Sequence, residues 1–242
     1  MVVEVSRLEV LDDDWTRALA IVAHPDDLEY GASSAVARWT SEGRHVAYVL
    51  ASRGEAGLGD VPPATAAALR EDEQRRSASV VGVEQVTFLD HVDGAIEYGL
   101  ALRRDLSRVI RRHRPELILT LNRHETWGGQ SFNMADHRHV GLAVLDAARD
   151  AANRWIFPDL LEEEGLEPWG GVRLVCFSGS PHARHGVDVT GFLAAGIESL
   201  QAHRTYIEHV GTDPESWLRE AAQAAGALLG CEHGVALEIV RP

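Results

Sequence analysis

Apolar and polar residues along the first half of the chain form two alternating kinds of segment. Short apolar runs, typical of buried strands, are separated by stretches in which apolar residues recur three or four positions apart, as on one face of a helix. Together with a helix beginning near Asp136, these repeats predict a mostly parallel sheet with right-handed crossovers and helices on both faces. The predicted strands are Arg17–Val22, His45–Leu50, Val86–Leu89 and Leu117–Leu121, and the predicted helices include Ala32–Trp39, Ala64–Val81 and Leu100–His113.

The remainder of the chain continues this pattern less regularly. A long loop, Asn122–Asn133, precedes the helix near Asp136. No internal repeat or linker interrupts the chain, so we predict a single α/β domain over residues 1–242. Its further elements are predicted to be strands at Val172–Phe177 and Val187–Val189, helices at Thr190–His209 and Pro214–Leu229, and an edge strand at the alternating stretch Val235–Val240.

Composition narrows the range of partners. Lys and Arg number 23 against 37 Asp and Glu, for a net charge of −14. This acidity argues against a nucleic-acid partner, which favours a basic surface, and against an anionic membrane surface. The two cysteines, Cys176 and Cys231, are too few for a disulfide framework or a thiolate zinc cluster. No signal-like or membrane-spanning apolar stretch occurs, so we expect a cytoplasmic protein.

The stretch after the first predicted strand carries the most chemistry. His24 and Asp27 lie three positions apart across a turn that Pro25 stiffens, so both can face one ion. Neutral imidazole and carboxylate suit Zn²⁺ or a similar divalent metal, and Fe²⁺ accepts the same ligands. Asp26, between them, is the candidate for accepting the proton of a metal-bound water. The alternative is an ordinary polar turn in which Asp26 or Asp27 caps the following helix.

A catalytic zinc ion takes three protein ligands, so a third must come from elsewhere. The best source is Asp136-His137, after the fourth predicted strand, because the first and fourth strands are typically adjacent at the switch point of a doubly wound sheet. His139 lies two residues further, roughly on the opposite side of a helix, so we favour His137. Asp136 is expected to orient a ligand histidine, to cap its helix, or both.

These motifs resemble the LmbE-like (PIG-L) family of zinc-dependent N-acetyl-sugar deacetylases. The resemblance spans roughly residues 17 to 205 and implies a Rossmann-like fold with a single deacetylase domain. It rests on Ala23–Asp27, which matches the family's Ala-His-Pro-Asp-Asp motif, and on Met134–His137, Gly54-Glu55, Leu69-Arg70 with Glu73, Phe88–Asp90 with Asp93-Gly94, Val187–Thr190 and Ala202-His203.

The resemblance implies roles for individual residues. His24, Asp27 and His137 would be the metal ligands and Asp26 the general base. A metal-bound water would attack the acetamide carbonyl of an N-acetylglucosamine-type sugar or conjugate and release acetate and an amine. The residues that would contact the substrate are Glu55, Arg70 and Asp93.

The chain departs from the family at Met134, where many members have a histidine that is thought to help stabilise the oxyanion. Methionine cannot donate a hydrogen bond, so His139, His124, His203 or the metal alone would have to take over. Trp127, in the long loop, is either a lid, a sugar-stacking platform or a buried anchor.

Two other functions remain open. One is an amidase of the same family that cleaves a larger acyl group, such as a thiol-conjugate amidase. The other is a sugar- or metal-binding relative that has lost turnover. In each case the partner is a small molecule, and a homo-oligomer is one option for the assembly.

Overall fold

The strands that form the core of the molecule are the continuous apolar runs of the sequence. The computed structural model describes residues 7–11, 14–129, 131–211 and 213–242. In this part of the chain the strands are β1 (Glu9–Val10), β2 (Arg17–Val22), β3 (His45–Leu50), β4 (Gln85–Phe88), β5 (Leu117–Leu121), β6 (Thr126–Trp127), β7 (Ser131–Phe132), β8 (Leu174–Ser178), β9 (His185–Asp188) and β10 (Gly234–Val240).

Helices follow most of these strands and cover the sheet. They are α1 (Asp27–Gly31), α2 (Ser33–Ser41), α3 (Pro63–Val80), α4 (Leu100–His113), α5 (Ala135–Ala152), α6 (Asp159–Glu162), α7 (Leu193–Gln201), α8 (Arg204–Val210) and α9 (Pro214–Leu229). None of the helices in the described residues is long and apolar enough to cross a bilayer.

Eight of the strands in the described residues form one sheet, in the order β1-β9-β10-β8-β5-β2-β3-β4. The pairs β2–β3, β3–β4, β2–β5 and β5–β8 are parallel, whereas β10 runs antiparallel to both of its neighbours. The predicted mostly parallel α/β fold is therefore confirmed. The predicted adjacency of the first and fourth apolar runs is also present, as β2 beside β5.

Both faces of the central strands are buried. Alternate residues of β2 enter different clusters: Ala18, Ala20 and Val22 pack on one side, and Leu19 and Ile21 on the other. The second cluster is filled from α4 and α5, and the first mainly from α2. A strand covered on both faces needs apolar side chains at every position, which explains the uninterrupted apolar run.

Two sequence expectations were wrong. Val235–Val240 is not an edge strand, because β10 lies between β8 and β9. Its alternating residues Val235, Leu237 and Ile239 pack against the first cluster, so the pattern reports one covered face and says nothing about the strand's position in the sheet. The single helix expected at Thr190–His209 is divided into α7 and α8, because the backbone leaves the helical region at His203 (φ −81°, ψ 49°).

Candidate active site

A cleft of about 830 Å³ opens at the carboxyl ends of β2 and β5, where the chain turns to opposite sides of the sheet. Such switch points are the usual ligand sites of open α/β sheets. The turn after β2 and the start of α5 bring their side chains together here. The lining includes His24, Asp26, Asp27, Tyr30, Arg70, Asp93, Trp127, Met134, His137, Ser180, Tyr206 and Trp217.

Three ligand-type atoms converge in the cleft. Nδ1 of His24 lies 3.3 Å from Nε2 of His137, which lies 3.0 Å from Oδ1 of Asp27. Nδ1 of His24 is 3.7 Å from Oδ2 of Asp27. Atoms bound at about 2.1 Å to a tetrahedral zinc ion lie about 3.4 Å apart. The donor set and its spacing therefore fit a divalent transition metal.

The two histidines are held by acceptors on the side away from this point. Nε2 of His24 lies 3.1 Å from Oδ2 of Asp136 and 3.0 Å from Oδ1 of Asp93. Nδ1 of His137 donates to Oδ1 of Asn133 at 2.9 Å. Because each acceptor binds the N–H of the outer nitrogen, the inner nitrogen is the one left to bind an ion.

Asp27 is fixed in the same manner. Its Oδ2 accepts the backbone N–H groups of Ala23 and His24 at 3.0 and 2.9 Å. Burial alone would raise the pKa of Asp27, but the charge and hydrogen bond of His137 outweigh it and hold the pKa well below its usual value. Burial alone would lower the pKa of His24, yet hydrogen bonds led by that of Asp136 hold it well above 6.5. The carboxylate is thus ready to bind a cation.

Asp26 stands apart from this set. Its backbone is left-handed (φ 83°), a conformation that few residues other than glycine adopt. Its N–H donates to Oε1 of Gln74 at 3.1 Å, and its Oδ1 lies 3.5 Å from Nη2 of Arg70. Oδ2 is buried and accepts no hydrogen bond from any described residue. Strain of this kind clusters at functional sites.

The surroundings of Asp26 change its acidity. Burial raises the pKa of Asp26 to about 7, against the opposing charges of Arg70 and His203. The side chain forms no capping hydrogen bond at the start of α1. The capping alternative for Asp26 is therefore absent from the structure. A carboxyl group with such a pKa is suited to accept and return a proton near neutral pH.

Behind Asp26 lies a buried polar network that sequence reasoning missed. Glu29 is fully buried, and its Oε1 accepts hydrogen bonds from Gln74 Nε2 at 2.9 Å and Ser77 Oγ at 2.7 Å. Arg70, Gln74 and Ser77 lie four and three residues apart on α3, so a polar stripe at helical spacing was the available signal.

The three predicted substrate contacts occupy different positions. Arg70 and Asp93 line the cleft. Arg70 is nearly fully buried and donates to the carbonyl oxygens of Pro25 at 2.7 Å and Gly54 at 3.1 Å. Glu55 is not brought into the cleft lining, because its carboxylate accepts the backbone N–H groups of Arg53 and Asp93.

The histidines considered as replacements for the family histidine are also outside the lining. His139 donates to the carbonyl oxygen of Ile96 at 2.6 Å. His124 lies 2.7 Å from Oε2 of Glu238, and His203 is completely buried. Geometry thus places none of the three where it would meet a ligand in the cleft.

Aromatic side chains form part of the cleft wall. Trp127 packs edge-on against His137, with ring centres 5.8 Å apart. It therefore lines the cleft beside the triad formed by His24, Asp27 and His137. Tyr30 and Trp217 form another edge-to-face pair at 5.8 Å. Met134 is 43% exposed at the cleft wall. Tyr30, Tyr206 and Trp217 carried no sequence signal, because each lies outside the recognised motifs.

Comparison with known proteins assigns the family. The family model described as PIG-L, GlcNAc-PI de-N-acetylase, matches residues 19–148, more than half of the chain. This range contains the triad and Asp26. The chain belongs to the PIG-L family. The predicted resemblance is thus confirmed.

Several PIG-L relatives are named deacetylases. Diacetylchitobiose deacetylase of Thermococcus kodakarensis is 28% identical over 235 residues, which cover 94% of this chain and 84% of the relative. The 1D-myo-inositol 2-acetamido-2-deoxy-alpha-D-glucopyranoside deacetylase of Thermobispora bispora is 31% identical over 213 residues, 76% of this chain and 63% of that protein.

Solved structures show that PIG-L architecture carries more than one activity. N,N'-diacetylchitobiose deacetylase from Pyrococcus horikoshii superposes with a TM-score of 0.86 at 23% identity, covering 94% of this chain and 84% of that one. The 4-carboxy-2-hydroxymuconate hydratase GalB from Pseudomonas putida superposes with a TM-score of 0.77 at 19% identity, covering 94% and 97%. The fold is therefore shared by a deacetylase and a hydratase, so function has to be argued from the site.

Proposed function

We propose that this chain is a metal-dependent hydrolase that removes the acetyl group from an N-acetylglucosamine-type amino sugar or its conjugate. The observation that carries the proposal is the position of Asp26. Its carboxyl group lies in the same cleft as His24, Asp27 and His137, and its Oδ2 atom accepts no hydrogen bond from the described residues. A set of metal ligands with a separate carboxylate beside it is typical of a hydrolase that activates water.

Zn²⁺ is the proposed ion, and Fe²⁺ suits the same ligands. His24, Asp27 and His137 would hold it, with Asp136, Asp93 and Asn133 orienting the two imidazoles. A divalent ion in this position supplies two effects when bound: it lowers the pKa of water and polarises an amide carbonyl.

The remaining chemistry is assigned to Asp26. Its carboxylate accepts a proton from the attacking water as the water oxygen forms a bond to the acyl carbon. The carboxyl group then donates that proton to the sugar nitrogen as the carbon–nitrogen bond breaks. The products are acetic acid, which ionises to acetate, and a free amine. Gln74 and Arg70 keep the Asp26 backbone in the conformation that aims its side chain into the cleft.

The substrate class rests on the size and charge of the cleft and on the relatives' names. A volume of about 830 Å³ is ample for a sugar carrying a further group. The carboxylates of Asp26, Asp27 and Asp93 line it, and the guanidinium of Arg70 is already paired with Asp26. A substrate with an uncharged sugar is therefore favoured over an anionic one. Two relatives are named for 2-acetamido sugars, diacetylchitobiose and an inositol glycoside.

The test is a substrate panel assayed for both primary amine and released acid. Protein stripped by a chelator and reloaded with Zn²⁺ or Fe²⁺ is incubated with N-acetylglucosamine, diacetylchitobiose, and N-butyryl and N-hexanoyl glucosamine. The expected result is acetate release from the acetylated sugars that depends on added metal. Turnover of the longer acyl groups alone identifies the larger-acyl amidase instead, and metal binding without any turnover identifies the non-catalytic relative.

A substitution separates catalysis from metal binding. Asp26→Asn is expected to lower kcat by about 10²–10⁴-fold, because the general base is lost. The bound metal, measured by elemental analysis, is expected to stay at one ion per chain. A variant that keeps wild-type turnover contradicts the assignment of Asp26.

A further inference from the structure

We propose that Tyr206 is a catalytic residue whose hydroxyl group donates a hydrogen bond to the oxyanion that forms when water adds to the amide carbonyl. This inference rests on the proposed deacetylase function and goes beyond it. Addition to a carbonyl places negative charge on oxygen, and acyl-transfer sites stabilise that charge with aimed hydrogen-bond donors. The residues assigned so far supply no such donor, so a hydrogen bond to the oxyanion, in addition to the effect of a bound metal, has to come from another side chain of the cleft.

Most polar side chains that line the cleft are already committed. The outer nitrogens of His24 and His137 are bonded to acceptors behind them. Nη1 and Nη2 of Arg70 donate to the carbonyl oxygens of Gly54 and Pro25. The hydroxyl group of Ser180 donates to Glu238. Met134, at the cleft wall beside the start of α5, has a thioether and no hydrogen to donate.

Tyr206 differs from these groups because its hydroxyl makes no hydrogen bond to any residue in the described part of the chain. The side chain is half-buried and lines the cleft. Burial raises the pKa of Tyr206 to about 12, and the nearby charge of Asp26 acts in the same direction. The phenol therefore keeps its proton throughout the neutral range and remains a donor.

The ring is held where it can act. Its centre lies 4.2 Å from Cζ of Arg70, in a cation–π contact, and the same guanidinium is 3.5 Å from Oδ1 of Asp26. The first turn of α8 is tied to α3, because Oε1 of Glu73 accepts the N–H of Thr205 at 2.7 Å. One guanidinium thus joins the proposed base to the proposed oxyanion donor.

The helix break at His203 makes this arrangement. A continuous helix through Thr190–His209 would carry residue 206 along the axis of α7. Instead the chain turns at His203, and α8 starts in a new direction with Tyr206 in its first turn. Sequence periodicity gives no sign of the turn, which is why Tyr206 was not among the predicted site residues.

The decisive variant is Tyr206→Phe, which removes the hydroxyl group and keeps the ring that contacts Arg70. With the metal-loaded protein and an acetylated sugar that the wild type hydrolyses, kcat is expected to fall about 10²–10³-fold, the range for losing one oxyanion donor. KM, bound metal and the melting temperature are expected to stay within error of wild type. Tyr98→Phe is the matched control, because Tyr98 bonds Asp146 outside the cleft lining.

A binding measurement distinguishes the proposed role from simple substrate contact. Glucosamine carrying an N-methylphosphonyl group in place of acetyl presents a tetrahedral anionic centre. Its dissociation constant, measured by calorimetry on metal-loaded protein, is expected to rise in Tyr206→Phe by the same factor as kcat/KM falls. A variant that raises only KM, or leaves both kcat and the dissociation constant unchanged, overturns the role of Tyr206 while wild-type deacetylation stands. A wild type that hydrolyses none of the sugars overturns the proposed function itself.

Discussion

Nε2 of His24 lies 3.1 Å from Oδ2 of Asp136, a residue 112 positions further along the chain. The same carboxylate accepts the backbone N–H groups of Gly94 at 2.8 Å and Ile96 at 3.2 Å. Asp136 therefore joins the turn after β2, the loop after β4 and the start of α5. The contact turns the other nitrogen of His24 toward Asp27 and His137.

This relationship predicts the effect of Asp136→Asn. The amide keeps an acceptor but loses the charge that orients the His24 imidazole, so metal affinity is expected to fall about 10–100-fold. Competition with a chromogenic chelator measures it directly. Asp146→Asn, on the same helix and bonded to Tyr98, is the control and should bind metal as the wild type does. If Asp136→Asn binds metal as tightly as Asp146→Asn, Asp136 does not act through His24.

Gly54 lies against Arg70, the side chain paired with Asp26, so a substitution there tests the role of Arg70. A Cβ at Gly54 would overlap Nη1 of Arg70. The Arg70 side chain cannot yield easily, because it is buried and its Nη1 and Nη2 donate to the carbonyl oxygens of Gly54 and Pro25. Gly54→Ala is expected to displace Arg70 and lower kcat/KM at least about tenfold, in line with the loss from misplacing a catalytic group. Steady-state deacetylation kinetics test this.

The control for Gly54→Ala is Gly43→Ala. Both glycines have positive φ, 65° and 83°, so each alanine adds about 1–2 kcal/mol of backbone strain. A Cβ at Gly43 meets nothing within 4 Å. Gly43→Ala should therefore lose only the stability that this strain costs and keep its activity, whereas Gly54→Ala should lose activity and at least as much stability. If Gly43→Ala loses as much activity as Gly54→Ala, the loss cannot be attributed to the displacement of Arg70.

Glu238 provides a pH-dependent prediction. Burial alone would raise the pKa of Glu238, but hydrogen bonds from Ser180 and His124 and the charge of Arg123 lower it. A carboxyl group with a lowered pKa in the folded state stabilises that state above its unfolded pKa, about 4.3. This contribution is lost as pH falls through the folded pKa.

Glu238→Gln should therefore be less stable than wild type at pH 7, by about 1–3 kcal/mol for the charged hydrogen bonds lost. The difference should shrink as the pH falls below about 4. Urea unfolding of the wild type and of Glu238→Gln, at neutral and at acidic pH, measures the difference in their free energy of unfolding under each condition. Glu232→Gln, at an exposed carboxylate, is the control. A gap that stays constant with pH would contradict the role of the Glu238 charge.

Arg111 is expected to matter for stability and not for catalysis. It is buried on α4 and donates to four carbonyl oxygens between residues 151 and 157, where α5 ends. Arg111→Met removes all four hydrogen bonds, although the carbonyl oxygens of residues 151, 153 and 157 each keep a backbone N–H donor. We therefore expect a loss of about 3 kcal/mol in the free energy of unfolding. Chemical denaturation measures the loss.

The exposed neighbour Arg112 is the control for Arg111. Its closest acidic partner is Glu164, at 3.8 Å. Arg112→Met should change stability by less than about 1 kcal/mol. Deacetylation per folded molecule should be unchanged in both variants, since neither residue lines the cleft.

The sequence by itself determined the central sheet and the residues that we propose as metal ligands. Buried parallel strands require uninterrupted apolar runs, and such runs mark β2, β3 and β5 directly. The rule that the first and fourth strands are neighbours then brought His24 and His137 together across more than a hundred residues. Local spacing within the turn after β2 was enough to separate the roles proposed for Asp26 and Asp27.

Only the tertiary structure decided what surrounds these proposed ligands. The buried position of Glu29, the contact of Gln74 with the Asp26 backbone, the interior position of β10 and the entry of Tyr206 into the cleft all depend on segments far apart in the chain. Periodicity records that one side of an element is buried, because burial selects apolar residues. It does not record which element provides the cover, and polar side chains buried by a distant partner resemble exposed ones in the sequence.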